Sequence, residues 1–126
     1  MKIISVEDVI LFHEKIIRAT GGSDGVRDRG VIESALNRAQ QTFDGQDLYE
    51  GIEKKIAVTC YSLIKNHGFV DGNKRIGVAV MLLLLRLNHF KVQYSQAELV
   101  ELGLKSAAGE ITEEEIEHWI QRHRVD

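Results

Sequence analysis

The chain has 126 residues, a formal net charge of −3 and a hydrophobic fraction of 44%. That length predicts a single domain, residues 1–126, able to bury roughly two-thirds of its unfolded surface without disulfides or metal. The acidic balance excludes a whole-surface attraction to nucleic acid or anionic membrane. The lone cysteine, Cys60, excludes an intramolecular disulfide and a cysteine-built zinc site, and a buried, reduced thiol is expected there.

The N-terminus, Met1 to Asp8, carries acids where a signal peptide would have its apolar run. The most apolar stretch, Ile76 to Leu85, is ten residues, about half a membrane span. A cytoplasmic protein without membrane contact is therefore expected.

Ser5 with Asp8 predicts an N-cap, and Val6, Val9, Ile10, His13, Ile16 and Ile17 recur at helical spacing until Gly21-Gly22. A second helix begins after Asp28 and carries Val31, Ile32, Ala35, Leu36 and Ala39. From Gln40 to Asp47 the periodicity lapses, and Phe43-Asp44-Gly45 reads as a turn or short hairpin. A long helix is predicted from about Leu48 to Asn66, with Ile52, Ile56, Cys60, Leu63 and Ile64 inward. The next starts near Asn73 and runs to about Asn88. Its stretch Ile76–Leu85 is apolar all round, which predicts a helix wrapped on every side. Phe90 to Tyr94 is the one short stretch with a strand-like pattern. Ser95 caps a helix with Ala97, Val100, Leu104 and Ala107, closed by Gly109. Thr112, followed by Glu113, Glu114 and Glu115, caps the last helix, whose Ile116, Trp119, Ile120 and His123 share a face. The fold class is all-α, about six helices around a central hydrophobic helix.

One segment differs from the rest. His67-Gly68-Phe69-Val70-Asp71-Gly72-Asn73-Lys74-Arg75 joins two long helices and concentrates polar chemistry in nine positions. The first turn of a helix offers unpaired backbone N–H groups and a positive dipole end, suited to phosphate. Gly72 allows close backbone approach. Asn73 caps the helix or reaches a phosphate oxygen. Lys74 supplies a compact charge and Arg75 a bidentate fork. Asp71 is a hard oxygen ligand of the kind Mg²⁺ uses beside substrate phosphates. His67 supplies an imidazole, the side-chain type suited to proton abstraction from a hydroxyl. Phe69 reads as a core anchor. The segment is not a P-loop: the Gly–Lys spacing differs, no Ser or Thr follows Lys74, and no strand precedes it. Taken singly, each residue also fits an ordinary turn and helix cap, so a non-catalytic binding module stays open beside an enzyme. A metal-dependent nuclease is disfavoured because Asp71 has no second carboxylate near it in sequence.

The nine residues resemble the Fic/Doc family signature H-x-F-x-(D/E)-(G/A)-N-(K/G)-R. Gly30-Val31-Ile32-Glu33-Ser34-Ala35-Leu36 is similar to the family's G-L-(L/I)-E-(S/A)-A-L block. Phe43 to Tyr49 resembles the flap that lies along the target peptide in Fic proteins, and Ala107 to Ile111 resembles the matching Doc segment. Where Fic adenylyltransferases carry Pro and Gly, this chain has Gly68 and Lys74. A Lys ammonium there fills the room left by Gly and favours the γ-phosphate end of ATP. Gly72 is the Fic-like position, since Doc proteins often have Ala.

The resemblance to the death-on-curing (Doc) branch implies γ-phosphoryl transfer from ATP to a hydroxyl of an EF-Tu-like translation factor, with Fic-type adenylyl transfer as the alternative. It implies His67 as base, Asp71 as Mg²⁺ ligand, and Gly72, Asn73, Lys74 and Arg75 as the phosphate cradle. It also implies a Phd-like antitoxin. The inhibitory S/T-x-x-x-E-G/N motif of some Fic proteins is not matched: Ser106 and Glu110 precede Ile111, and Gln46 stands where Ser or Thr would precede Glu50-Gly51. An inhibitor in trans, an apolar and acidic helix lying near the motif, is expected.

Overall fold

The computed structural model describes residues 1–125. Among them are six helices and one two-stranded hairpin: α1 Val6–Thr20, α2 Arg29–Arg38, β1 Thr42–Phe43, β2 Gln46–Asp47, α3 Ile52–Asn66, α4 Asn73–Leu87, α5 Gln96–Ala107 and α6 Glu113–His123. The all-α class read from the sequence holds, and so do the caps expected at Ser5, Ser95 and Thr112. Ser5, Ser95 and Thr112 each form a reciprocal capping box, and Asp28 accepts from the Val31 N–H. No helix among the described residues is long and apolar enough to cross a membrane.

Three expectations change. The third helix starts at Ile52, not near Leu48. The Leu48 N–H instead donates to the Gln41 carbonyl, extending the hairpin, and Gly51 at φ +89° turns the chain into the helix. The Phe90–Tyr94 segment forms no strand, only an isolated bridge between Val92 and Arg124. Finally, the most enclosed helix is α3, which packs against α2, α4, α5 and α6. Its residues from Lys55 to Cys60 and Ser62 to Ile64 are all buried. Helix α4 is apolar all round yet unevenly covered: Ile76, Val80, Met81, Leu84 and Leu85 are buried, whereas Val78, Ala79, Leu82 and Leu83 stay half-buried.

The polar groups inside α3 are each satisfied, which is the condition for burying them. Lys55 Nζ donates to the carbonyls of Tyr49 (2.6 Å) and Ala39 (3.3 Å) and pairs with Asp47 (3.3 Å), tying the hairpin to the core. Thr59 donates to the Lys55 carbonyl, and Ser62 accepts from Arg38. Cys60 is fully buried, and loss of solvent pushes its thiol up to about 12. It is therefore an inert thiol, as expected.

The half-covered side of α4 continues onto its neighbour. On α5 the buried residues are Leu99, Leu102, Gly103 and Ser106, while Val100 and Leu104 are each 53% exposed. These apolar side chains face a groove of about 470 Å³ between α1, α4 and α5, with Lys74 and Arg75 among its lining residues. It adjoins a second hollow of about 820 Å³, sharing Ala79 and Leu82 with it, whose lining includes Arg86 and Lys91.

Candidate active site

The motif is the loop from α3 into α4. Helix α3 ends in His67, which adopts the left-handed conformation at φ 50°, ψ 51°. A non-glycine residue there is uncommon, and such strain persists only where surrounding contacts hold it. Arg27, from the α1–α2 loop, supplies that hold. Its Nε donates to the His67 carbonyl at 2.5 Å, and Nη2 donates to the Asn66 carbonyl at 3.1 Å. The His67 residue is exposed and its imidazole makes no hydrogen bond among the described residues.

Gly68 lies flat against α2. A Cβ at this position would sit 2.4 Å from Ile32 Cγ1, and the Gly68 carbonyl accepts from the N–H groups of Arg27 and Asp28. Phe69 is 2% exposed and is the anchor expected of it, stacked on His13 with ring centroids 3.8 Å apart. Val70 is 58% exposed.

Asp71 is held at both ends. Its carboxylate accepts from the Ser23 N–H (3.1 Å) and the Gly72 N–H (2.8 Å), and Arg75 Nη2 lies 3.7 Å away. The two backbone N–H groups, then the nearby Arg75, hold its carboxyl below the usual carboxylate range. It is an anion at any physiological pH. His13 Nε2 lies 2.7 Å from the Asp71 carbonyl. Gly72, at φ +78°, is the residue before α4, and no side chain caps that helix.

Asn73 departs from the expected role. Its side chain is buried and closes a ring with the loop: Nδ2 donates to the Phe69 carbonyl (3.0 Å) and Oδ1 accepts from the Phe69 N–H (3.1 Å). Only its backbone N–H remains for an anion. Lys74 is exposed and its ammonium makes no ion pair among the described residues. Arg75 is fixed to the end of α1, where Nη1 donates to Thr20 Oγ1 (2.6 Å) and the Gly21 carbonyl (2.7 Å).

The electrostatics of this helix start are unusual. Acids stabilise the positive end of a helix and cations destabilise it. Helices α1, α3, α5 and α6 carry acids in their first turns and α2 is capped by the Asp28 carboxylate, whereas α4 has neither and carries Lys74 and Arg75 instead. With the first-turn N–H groups also unpaired, this helix start favours an anion. A divalent cation fits the same place only in part. No group of three or more His, Cys, Asp or Glu among the described residues could hold a metal ion. Asp71 alone, ionised and with a second lone pair on each oxygen, fits Mg²⁺ held jointly by one carboxylate and substrate phosphates.

Sequence inspection missed four contributors: His13, Thr20, Ser23 and Arg27. Only His13 left a signal, as the one polar residue on the inward stripe of α1.

A profile of the Fic/DOC family matches residues 3–85. Toxin Doc of Mycolicibacterium smegmatis is 41% identical over 70 residues, covering 56% of this chain and 54% of that protein. Protein kinase doc of Escherichia phage P1 is 32% identical over 125 residues, covering 97% of this chain and 95% of its own. The chain thus spans about half the length of the first relative and nearly all of the second. The motif geometry, the family profile and a likeness running along almost the whole phage protein agree, and the chain belongs to the Fic/DOC family, alongside its Doc members.

Proposed function

We propose that this chain is the toxin of a toxin–antitoxin pair and a Doc-type protein kinase, which transfers the γ-phosphoryl group of ATP to a Ser or Thr hydroxyl of an EF-Tu-like translation factor in the cytoplasm. The observation that carries the reading is the start of α4. Two cations and a set of unpaired N–H groups stand at the positive end of a helix that has no side-chain cap and no acid in its first turn. The name of the phage relative, which the chain matches over 97% of its length, supports a kinase.

In this reading His67 takes the proton of the target hydroxyl, whose oxygen attacks the γ-phosphorus as the bond to the β–γ bridging oxygen breaks and ADP leaves. Phosphoryl transfer asks for in-line positioning and charge neutralisation, which a small helical scaffold supplies. Lys74 and Arg75 and the first-turn N–H groups hold the phosphate oxygens. Asp71 would hold Mg²⁺, which when bound neutralises charge shared between the β- and γ-oxygens. The hairpin, with Phe43 77% exposed, would lie along the target. The antitoxin would place an amphipathic, acidic helix in the apolar groove beside α4 and α5, where Lys74 and Arg75 offer it charge.

The test is incubation with cell extract and ATP labelled separately on the α- and γ-phosphates. Label passing to protein from γ alone is expected. Label from α means adenylyl transfer, and no label from either overturns the enzyme in favour of a binding module.

A further inference from the structure

We infer that His13, a buried histidine of α1 lying far outside the motif in sequence, is a positioning residue that sets the orientation of Asp71 for its cation. The inference rests on Asp71 as the Mg²⁺ ligand proposed above. The His13 side chain is 1% exposed, and a buried polar ring needs a partner. Its partner is the Asp71 carbonyl at 2.7 Å. Because a carbonyl oxygen only accepts, Nε2 carries the hydrogen and donates it. The other ring nitrogen faces Asp24 Oδ1 at 3.7 Å, beyond hydrogen-bonding range. The ring is meanwhile clamped flat on Phe69, with an interplanar angle of 13°.

This bond ties the peptide unit after Asp71 directly to another helix. The Asp71 carbonyl belongs to the peptide unit joining Asp71 to Gly72. A peptide beside glycine turns over readily, since glycine accepts φ of either sign. The Gly72 N–H does bond to the Asp71 carboxylate, but that contact is local and moves with the unit. His13 is a rigid external reference on a packed helix. Gly72 in turn makes room for it, since a Cβ there would lie 3.3 Å from Nε2. With the carbonyl pinned by α1 and the carboxylate oriented by the Ser23 N–H, the outward lone pairs of Asp71 point in one direction. Groups that orient a metal ligand in this way commonly change cation affinity by about 10–100-fold when removed.

Two variants separate positioning from bulk packing. His13→Phe keeps a ring on Phe69 and loses the donor. His13→Gln loses the ring and returns an amide N–H near the Nε2 position. Two measurements are made on each: the dissociation constant for the Mg²⁺ complex of a non-hydrolysable ATP analogue by calorimetry, and amide hydrogen exchange of the ligand-free protein. For His13→Phe the dissociation constant is expected to rise about 10–100-fold. Exchange at Gly72 should accelerate about tenfold, with α3 and α6 protected as before. For His13→Gln both quantities should stay near the starting protein. The inference is overturned if His13→Phe matches the starting protein in both. It is equally overturned if His13→Gln fails as badly as His13→Phe, or if either variant loses protection throughout the core, which is the mark of a merely structural residue. If the starting protein binds the nucleotide with no dependence on Mg²⁺, the cation role of Asp71 falls, and the exchange data still decide whether His13 holds the loop.

Discussion

Arg27 grips the carbonyl of His67 from a loop 40 residues away in sequence, with Nε to O at 2.5 Å. The contact secures the C-terminal end of α3 at the point where the backbone leaves the helix in a left-handed turn. The proposed base is thus positioned through its main chain, not through its ring.

Arg27→Ala should therefore behave as a catalytic variant with near-native stability. The lost bonds are exposed and contribute only about 1 kcal/mol, whereas displacement of a reacting group by about 1 Å costs on the order of 10²-fold in rate. The check is a single-turnover γ-phosphoryl transfer rate beside a urea unfolding curve. A rate within threefold of the starting protein would remove Arg27 from the site.

His67 itself gives an opposite pair of effects. His67→Ala should lower transfer by about 10²–10⁴-fold, the usual value of a positioned base, and abolish toxicity while the protein still folds. His67→Gly should be equally inactive yet more stable than His67→Ala by up to about 1 kcal/mol, because glycine relieves the left-handed backbone at φ 50°. Equilibrium denaturation of both variants, with a growth assay, tests this. A toxic His67→Ala protein would remove His67 from the chemistry.

What the sequence disclosed, and what it hid, divides by the range of the interactions. Caps at Ser5, Ser95 and Thr112 are legible because donor and acceptor lie three residues apart. The motif is legible because its residues are contiguous. Burial of α3 is not, because Lys55, Thr59 and Ser62 lower its hydropathy, and the partners of Lys55 and Ser62 lie in other elements. The opposite error occurs on α4 and α5, where apolar residues read as core lie along an open groove. His13 meets Asp71 across 58 residues, and Arg27 meets His67 across 40, separations that no local pattern encodes. Asn73 shows a subtler limit: its position was plain, but not that the loop occupies both ends of its amide.

Two glycines set how closely helices approach the motif. A Cβ on Gly68 would meet Ile32 at 2.4 Å, and one on Gly77 would meet Ile64 at 2.5 Å and the Cys60 carbonyl at 3.0 Å. The second clash involves backbone and cannot be relieved by a rotamer change. Gly68→Ala and Gly77→Ala should each destabilise by about 1–3 kcal/mol, the usual penalty for overpacking, with Gly77→Ala the larger. Urea midpoints at constant slope measure it. A neutral Gly77→Ala would mean that α3 and α4 can separate without loss.

The far end of the molecule gives a prediction in pH. His123 Nε2 lies 2.6 Å from Glu98 and Nδ1 lies 2.7 Å from the Trp119 carbonyl, so both ring nitrogens face acceptors. The His123 contact, followed by the Ser95 N–H and hydroxyl, pulls the Glu98 carboxyl down to about 2 from an ordinary 4.5. A carboxylate that is more acidic in the folded state favours folding above its unfolded pKa, and that contribution is lost as pH falls through the folded value. The window is therefore pH 4.5 down to about 2. Glu98→Gln keeps a side chain able to cap α5 but cannot carry the charge. The stability difference between the starting protein and the Glu98→Gln variant should narrow as pH falls below about 5 and vanish near pH 2. Paired urea titrations between about pH 2 and 7 follow that difference free of the other carboxylates, which titrate in both proteins. A gap that stays level across the whole window would mean that the α5–α6 contact owes nothing to the charge on Glu98.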